Sequence, residues 1–297
     1  MKTTNALKTQ EKVIRYFEES GMDYGAWSRS FNMHFGYYKA GLNPFKREQL
    51  LDQLNQEVLD RLQLCKEEPA RVLDLGCGLG ATARYIARRH PMAFIRGLTI
   101  TPWQVEYGNE LSRKENLAGR VILKEANFCD MPVASNGVEA AYALESACYA
   151  SGDAKEALIW ELARVLKPGG RFVIADGFRK HSRPLPNWLE GIYRRNLKCW
   201  ALDELSDIEA MKTMLRKAGF KKVRVEEISW RVAPSFMHIP FVTIQFLWRY
   251  WRKNGHLNLS TERWNNVKAP LFGMLMGLSR KHFGYYIISG HKASNSF

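Results

Sequence analysis

No stretch of this chain approaches the roughly 20 consecutive apolar residues that a membrane-spanning helix needs. The five cysteines, at 65, 77, 129, 148 and 199, include no C-x-x-C pair. Neither a disulfide framework nor a metal site is therefore expected. The opening residues, MKTTNALKTQEK, lack an apolar signal core, and together these gaps predict a cytoplasmic protein. Internal repeats and low-complexity tracts are missing too. Negative charge is short: 44 Lys and Arg stand against 30 Asp and Glu, a net charge of +14 over 297 residues. That excess favours anionic partners, either nucleic acid or anionic lipid.

What is present is a chain that is 46% hydrophobic, enough for one large domain with a cap. The stretch RVLDLGCGLG (71–80) organises it. Val72-Leu73-Asp74-Leu75 reads as a buried strand, Gly76-Cys77-Gly78-Leu79-Gly80 as a turn and ATARYIARRH (81–90) as a helix. Strand, glycine turn and helix form the layout of a nucleotide-type cofactor site in a doubly wound sheet. The spacing is G-x-G-x-G, not the dinucleotide G-x-G-x-x-G, and no Lys-Ser/Thr follows to make a phosphate-cradling loop. The turn resembles motif I of the S-adenosylmethionine-dependent methyltransferases. The resemblance implies a Rossmann-like α/β fold, with a mostly parallel, doubly wound sheet of seven strands. It also implies S-adenosylmethionine as cofactor, held at Asp74, Gly76, Cys77, Gly78 and Gly80.

The second strand, AFIRGLTI (93–100), lacks the acid that usually ends such a strand and holds a ribose. GLTITPWQ (97–104) resembles instead the cyclopropane fatty acid synthase and tocopherol methyltransferase branches. There a Thr and a Gln do that polar work, which implies Thr99, Ile100 and Gln104 as cofactor residues. Asn127 and Phe128 follow the third strand and correspond to the family's adenine edge and face; a turn-forming Asn is the plainer alternative. The fourth strand and its exit, VEAAYALESACYA (138–150), bring Glu145, Ser146, Cys148 and Tyr149 to the carboxyl end of the sheet, where ligands bind. ESACYA resembles the EATCHA segment of sterol methyltransferases, with Tyr149 in place of His. Glu145 is the leading candidate for chemistry, as a base or as a counter-charge; binding the cofactor is its other reading. LKPGG (166–170) is a common late motif of the fold, read as a tight turn.

Outside the core, MDYGAWSRSFNMHFGYY (22–38) is dense in rings. Tyr24-Gly25, Trp27, Ser30-Phe31 and His34-Phe35 resemble the aromatic segment of sterol methyltransferases, with Asn32-Met33 extra. A lid over cofactor and acceptor is implied, with Tyr24, Trp27, Tyr37, Tyr38 and Tyr149 as candidate ring walls. His34 is a candidate base or orienter. Residues 8–20 and 46–64 read as helices. VAPSFMHIPFVTIQFLWRYWRK (232–253) is apolar nearly all round and starts a helix near Pro240. Such a helix is a core element, a pocket rim or an interfacial one.

The expected organisation is N-terminal helices and lid in 1–64 and a cofactor core in 65–177. Cap insertions and the last strands fill 178–297. The expected activity is methyl transfer to a hydrophobic acceptor of isoprenoid or sterol type, on carbon and through a carbocation, with O- or N-methylation of a small natural product as the alternative. A membrane contact is in view, and nucleic acid is not an expected partner. A non-enzymatic binding protein is the reading from another class, and the intact glycine turn speaks against it.

Overall fold

The computed structural model describes residues 2–294, with side-chain surroundings from residue 9 onward. Helix α1 (Lys2–Ser20) ends where Gly21 begins a single 3₁₀ turn, and α2 (Tyr24–Trp27) follows at once. An extended arm then crosses to α3 (Arg47–Leu62). The core alternates as β1 (Ala70–Leu75), α4 (Ala81–Arg89), β2 (Ala93–Thr99), α5 (Pro102–Lys114), β3 (Val121–Glu125), β4 (Val138–Leu144), α6 (Glu156–Val165) and β5 (Leu166–Arg179). Then come α7 (Asn187–Cys199), α8 (Ile208–Lys217), β6 (Phe220–Glu227), α9 (Ser229–Phe236), α10 (Ile239–Asn254), α11 (Thr261–Leu278) and β7 (Phe283–Lys292).

Among the described residues seven strands form one sheet in the order β3-β2-β1-β4-β5-β7-β6. All neighbours run parallel except β7, which is antiparallel to β5 and to β6. Period-two alternation sorts the side chains onto two buried faces. Leu73, Leu75, Phe172, Ile174 and Ile288 pack with α6 and α8 on one face. Val72, Ile95, Tyr142, Val173 and Ile287 pack with α3 and α4 on the other. The order reverses between β1 and β4, so a crevice opens at their carboxyl ends, as this architecture dictates.

The LKPGG segment differs from its reading as a turn. Val138 pairs with Leu166 and Ala140 with Arg171, so four residues, 167–170, bulge opposite Glu139 alone. Gly169 takes φ +77°, and a Cβ on Gly170 would sit 2.8 Å from the Lys167 carbonyl oxygen. The glycines thus serve a bulge inside β5, not a link before it.

Candidate active site

The crevice deepens into a cavity of about 790 Å³, in the range of small-molecule and cofactor sites. Its floor is the glycine turn. Gly76 and Gly78 take φ +82° and +51°, and a Cβ would run into Ser146 at one and the Met33 sulfur at the other. Both line the cavity beside Cys77 and Asp74. Gly80 does not. It sits at the start of α4 with φ +74°, and a Cβ there would press on Leu123; it shapes the turn from behind. The Asp74 carboxyl accepts from Tyr142 Oη at 2.8 Å. Burial pushes it up to about 7, only partly opposed by that bond.

Thr99 and Gln104 stand together on the wall, with Ile100 beside them. Thr99 Oγ1 donates to Gln104 Oε1 at 2.7 Å. Gln104 Nε2 is buried and has no partner among the described groups, and neither has Thr101 Oγ1. A buried amide donor left alone costs about 1–3 kcal/mol, so this one waits for a ligand or water. Asn127 makes the turn that its residue type favours: its Oδ1 accepts from Cys129 N at 2.8 Å. Phe128 joins it on the cavity wall.

Glu145 leaves the end of β4 with φ +50°, a left-handed conformation rare outside glycine. Its Oε1 accepts from Phe35 N and from Tyr285 Oη, both at 2.7 Å, while Oε2 accepts from no described group. Burial raises this carboxyl to about 8 against the lowering effect of the two donors. Asp176, at the cavity edge of β5, is raised by burial to about 6, although Cys148 N and Gly177 N both donate to it. Sequence reading missed Tyr285 and Asp176. Asp176 lies at the carboxyl end of a strand that was legible; Tyr285 comes from β7 and carries no local signal.

The arm closes the cavity. Tyr24, Trp27, Phe31, Met33, His34 and Phe35 line it together with Tyr149 and Trp200, whose ring meets that of Phe35 edge-on. Burial raises the Tyr24 phenol to about 12, and the Tyr149 phenol is also raised, so both stay protonated at neutral pH. Tyr37 and Tyr38, expected as ring walls, lie outside. Their backbone amides bond Leu50 O and Arg231 O, which carries the chain away between α3 and α9. His34 is 5% exposed, with Nδ1 at 2.7 Å from Phe35 O and Nε2 at 3.1 Å from Asn32 Oδ1. Burial lowers it to about 4, so it is neutral and both ring nitrogens are engaged within the arm. Asn32 Oδ1 faces both His34 Nε2 and Asn55 Nδ2, which donates to it at 3.0 Å. From Asn32 the network runs through Asn55 to Thr82 Oγ1 on α4. The extra residues Asn32-Met33 therefore fasten the arm to the core.

Residues 72–170 match the family described as "Methyltransferase domain". The chain is 30% identical over 196 residues to the O-methyltransferase rstn1 of Aspergillus nomiae, covering 66% of this chain and 83% of that one. It is 33% identical over 169 residues to cycloartenol-C-24-methyltransferase 1 of rice, Oryza sativa subsp. japonica, covering 56% and 46%. Among solved structures, the cyclopropane synthase MmaA2 of Mycobacterium tuberculosis superposes with a TM-score of 0.79 at 14% identity, covering 95% and 98%. That likeness concerns the fold.

Proposed function

The chain belongs to the S-adenosylmethionine-dependent methyltransferases, and from that premise we propose that it methylates a hydroxyl oxygen on an uncharged, apolar small molecule. S-adenosylmethionine is the donor; when bound it supplies an electrophilic methyl on a cationic sulfur. The residues of the cavity suit it. Gly76 and Gly78 offer bare backbone, and Asp74 offers a carboxyl to an ammonium group. The unpartnered Gln104 Nε2 suits a ribose oxygen, with Thr99 fixing the amide. Asn127 Nδ2 and the Phe128 ring suit an adenine edge and face, and Ile100 and Cys77 supply apolar contact.

The observation that carries the reading is Glu145, a carboxyl raised to about 8 in a chamber poor in cations. Of the lining residues, Arg280 is the one guanidinium and no lysine is present. Such a wall favours a neutral acceptor over a phosphorylated one. Glu145 Oε2 receives the acceptor's proton while Phe35 N and Tyr285 Oη hold Oε1 still. A phenol-like hydroxyl has a pKa near 10, so the mismatch with this carboxyl is roughly 2 units, against 5 or 6 for an ordinary glutamate. The rings of Tyr24, Trp27, Phe35 and Tyr149 exclude water. His34 is a positioning residue, since it holds the arm whose Phe35 N–H meets Glu145.

Carbon methylation is the second reading. Its support is the ring-lined wall, which would face a developing cation, and the similarity to the cycloartenol enzyme. It weighs less because the cycloartenol enzyme is matched over only 46% of its length, against 83% for the O-methyltransferase rstn1. The test is product structure from a panel of phenols, quinols and sterols, with Glu145→Gln alongside. The expected product carries methyl on oxygen, and kcat/KM rises with pH toward 8. At pH 6.5, where the native carboxyl is itself protonated, the variant keeps donor affinity within a few-fold, and it loses at least about 100-fold in kcat. Methyl on carbon would overturn the oxygen reading, and lost donor affinity would make Glu145 a cofactor ligand.

A further inference from the structure

Helix α10 has two unlike faces. Ile239 and Val242 are buried, and Val242, Thr243 and Phe246 line the cavity. On the other side Phe241, Ile244, Trp248 and Trp251, at spacings of three, four and three, are each more than half exposed. Spacing of that kind puts them in one stripe. The stripe does not stop at the helix. Trp230 and Met237 of the preceding segment and Leu275 and Leu278 of α11 are also exposed, and these four belong to the cavity lining. The mouth of the site thus opens within an apolar surface larger than scattered single residues would make.

Charge points to what covers it. From residue 228 to the end of the chain there are nine Lys and Arg and one acid, Glu262. Arg249, Arg252 and Lys253 close α10, all exposed, and none has a carboxylate partner among the described residues. Arg252 lies 5.3 Å from the Trp248 ring centroid and Arg280 lies 4.2 Å from that of Trp230. Tryptophan beside arginine at the border of an apolar stripe suits the headgroup level of a bilayer. A second copy of this chain fits poorly, because a two-fold contact would set this basic band against itself. Among the described residues no helix is long and apolar enough to cross a membrane, so contact would be from the surface.

We propose that the α10 face, with Trp230, Met237 and Leu278, seats the protein on an anionic lipid bilayer with the cavity mouth turned toward the lipid. An apolar acceptor then enters from the membrane without crossing water. That last step rests on the function proposed above; the docking does not, and it is tested without acceptor.

The experiment is sedimentation of the full chain with vesicles of pure phosphatidylcholine and of phosphatidylcholine with 30 to 40% phosphatidylserine, at low and high salt. Binding is expected to the anionic vesicles and to fall with salt. The triple variant Phe241→Ser, Trp248→Ser, Trp251→Ser and the pair Arg252→Glu, Lys253→Glu should each weaken partitioning at least about tenfold. None of these five lines the cavity, so donor affinity and far-UV circular dichroism should stay unchanged and report an intact fold. Absence of binding to anionic vesicles, or equal binding by the variants, would overturn the proposal. A dimer in sedimentation velocity that the serine variant dissolves would overturn it in favour of self-association.

Discussion

Gln104 shows how much one side chain can reveal. The second strand has no terminal acid, and Thr99 and Gln104 were legible as its replacement only through the resemblance of GLTITPWQ to other branches of the family; they lie across a strand end and the first turn of α5. The structure adds the direction of the amide: Oε1 is held by Thr99, so Nε2 is the free donor. Gln104→Ala is expected to weaken S-adenosylmethionine binding roughly tenfold and to cost about 1 kcal/mol of stability, since the buried bond from Thr99 is lost together with the unpartnered Nε2. Calorimetric titration measures it; unchanged affinity would mean Nε2 meets only water. Tyr285 marks the opposite limit. It reaches Glu145 from a strand 140 residues later, and only the antiparallel insertion of β7 beside β5 brings the two together. No local pattern encodes such a meeting.

At the scale of elements, strands and helices of the core were legible because each is a continuous apolar run or stripe bounded by glycine or proline. The arm was legible as aromatic but not in its path. Met33, His34 and Phe35 line the cavity, and the backbone bonds of Tyr37 to α3 and Tyr38 to α9 carry the chain away from it. Gly36 is the point of closest approach. A Cβ there would lie 2.5 Å from Leu50 Cβ and 2.6 Å from its carbonyl carbon. Gly36→Ala should therefore lift the arm from α3, at a cost of about 1–3 kcal/mol. Because Phe35 N and its bond to Glu145 sit one residue away, kcat should fall along with Tm. Thermal unfolding and single-turnover rates check this. A loss of Tm with kcat unchanged would separate the arm from the chemistry. Helix α10 was legible as apolar nearly all round, yet the sequence could not say which side meets protein; the cavity beneath Phe246 and the exposure of Trp248 and Trp251 decide that.

Across the whole molecule, net positive charge hides an interior lined with carboxyls that hold their protons. Asp74, Asp176 and Glu145 line one cavity with carboxyls raised to about 7, about 6 and about 8. A raised carboxyl makes the folded state hold its proton more tightly than the unfolded chain does. Its stabilising contribution is complete below the unfolded value near 4 and is lost as pH rises through the folded value. His34, lowered to about 4, works in the other direction below its unfolded value of about 6.5. The most informative window is therefore pH 6.5 to 8, where Asp74 and Glu145 titrate while His34 is neutral in the folded state and at most half protonated in the unfolded one. Stability of the free protein should fall there by about 2 kcal/mol, or roughly 3 °C in Tm. A cationic donor favours the ionised carboxyls, so S-adenosylmethionine should bind more tightly as pH rises through this window and should expel protons as it binds. Titration calorimetry at pH 7 in buffers of different ionisation enthalpy measures that release. A heat of binding that ignores the buffer, beside a Tm that stays level from pH 6.5 to 8, would mean that these carboxyls are ionised before the donor arrives, and the raised value at Glu145 on which the base assignment depends would go with them.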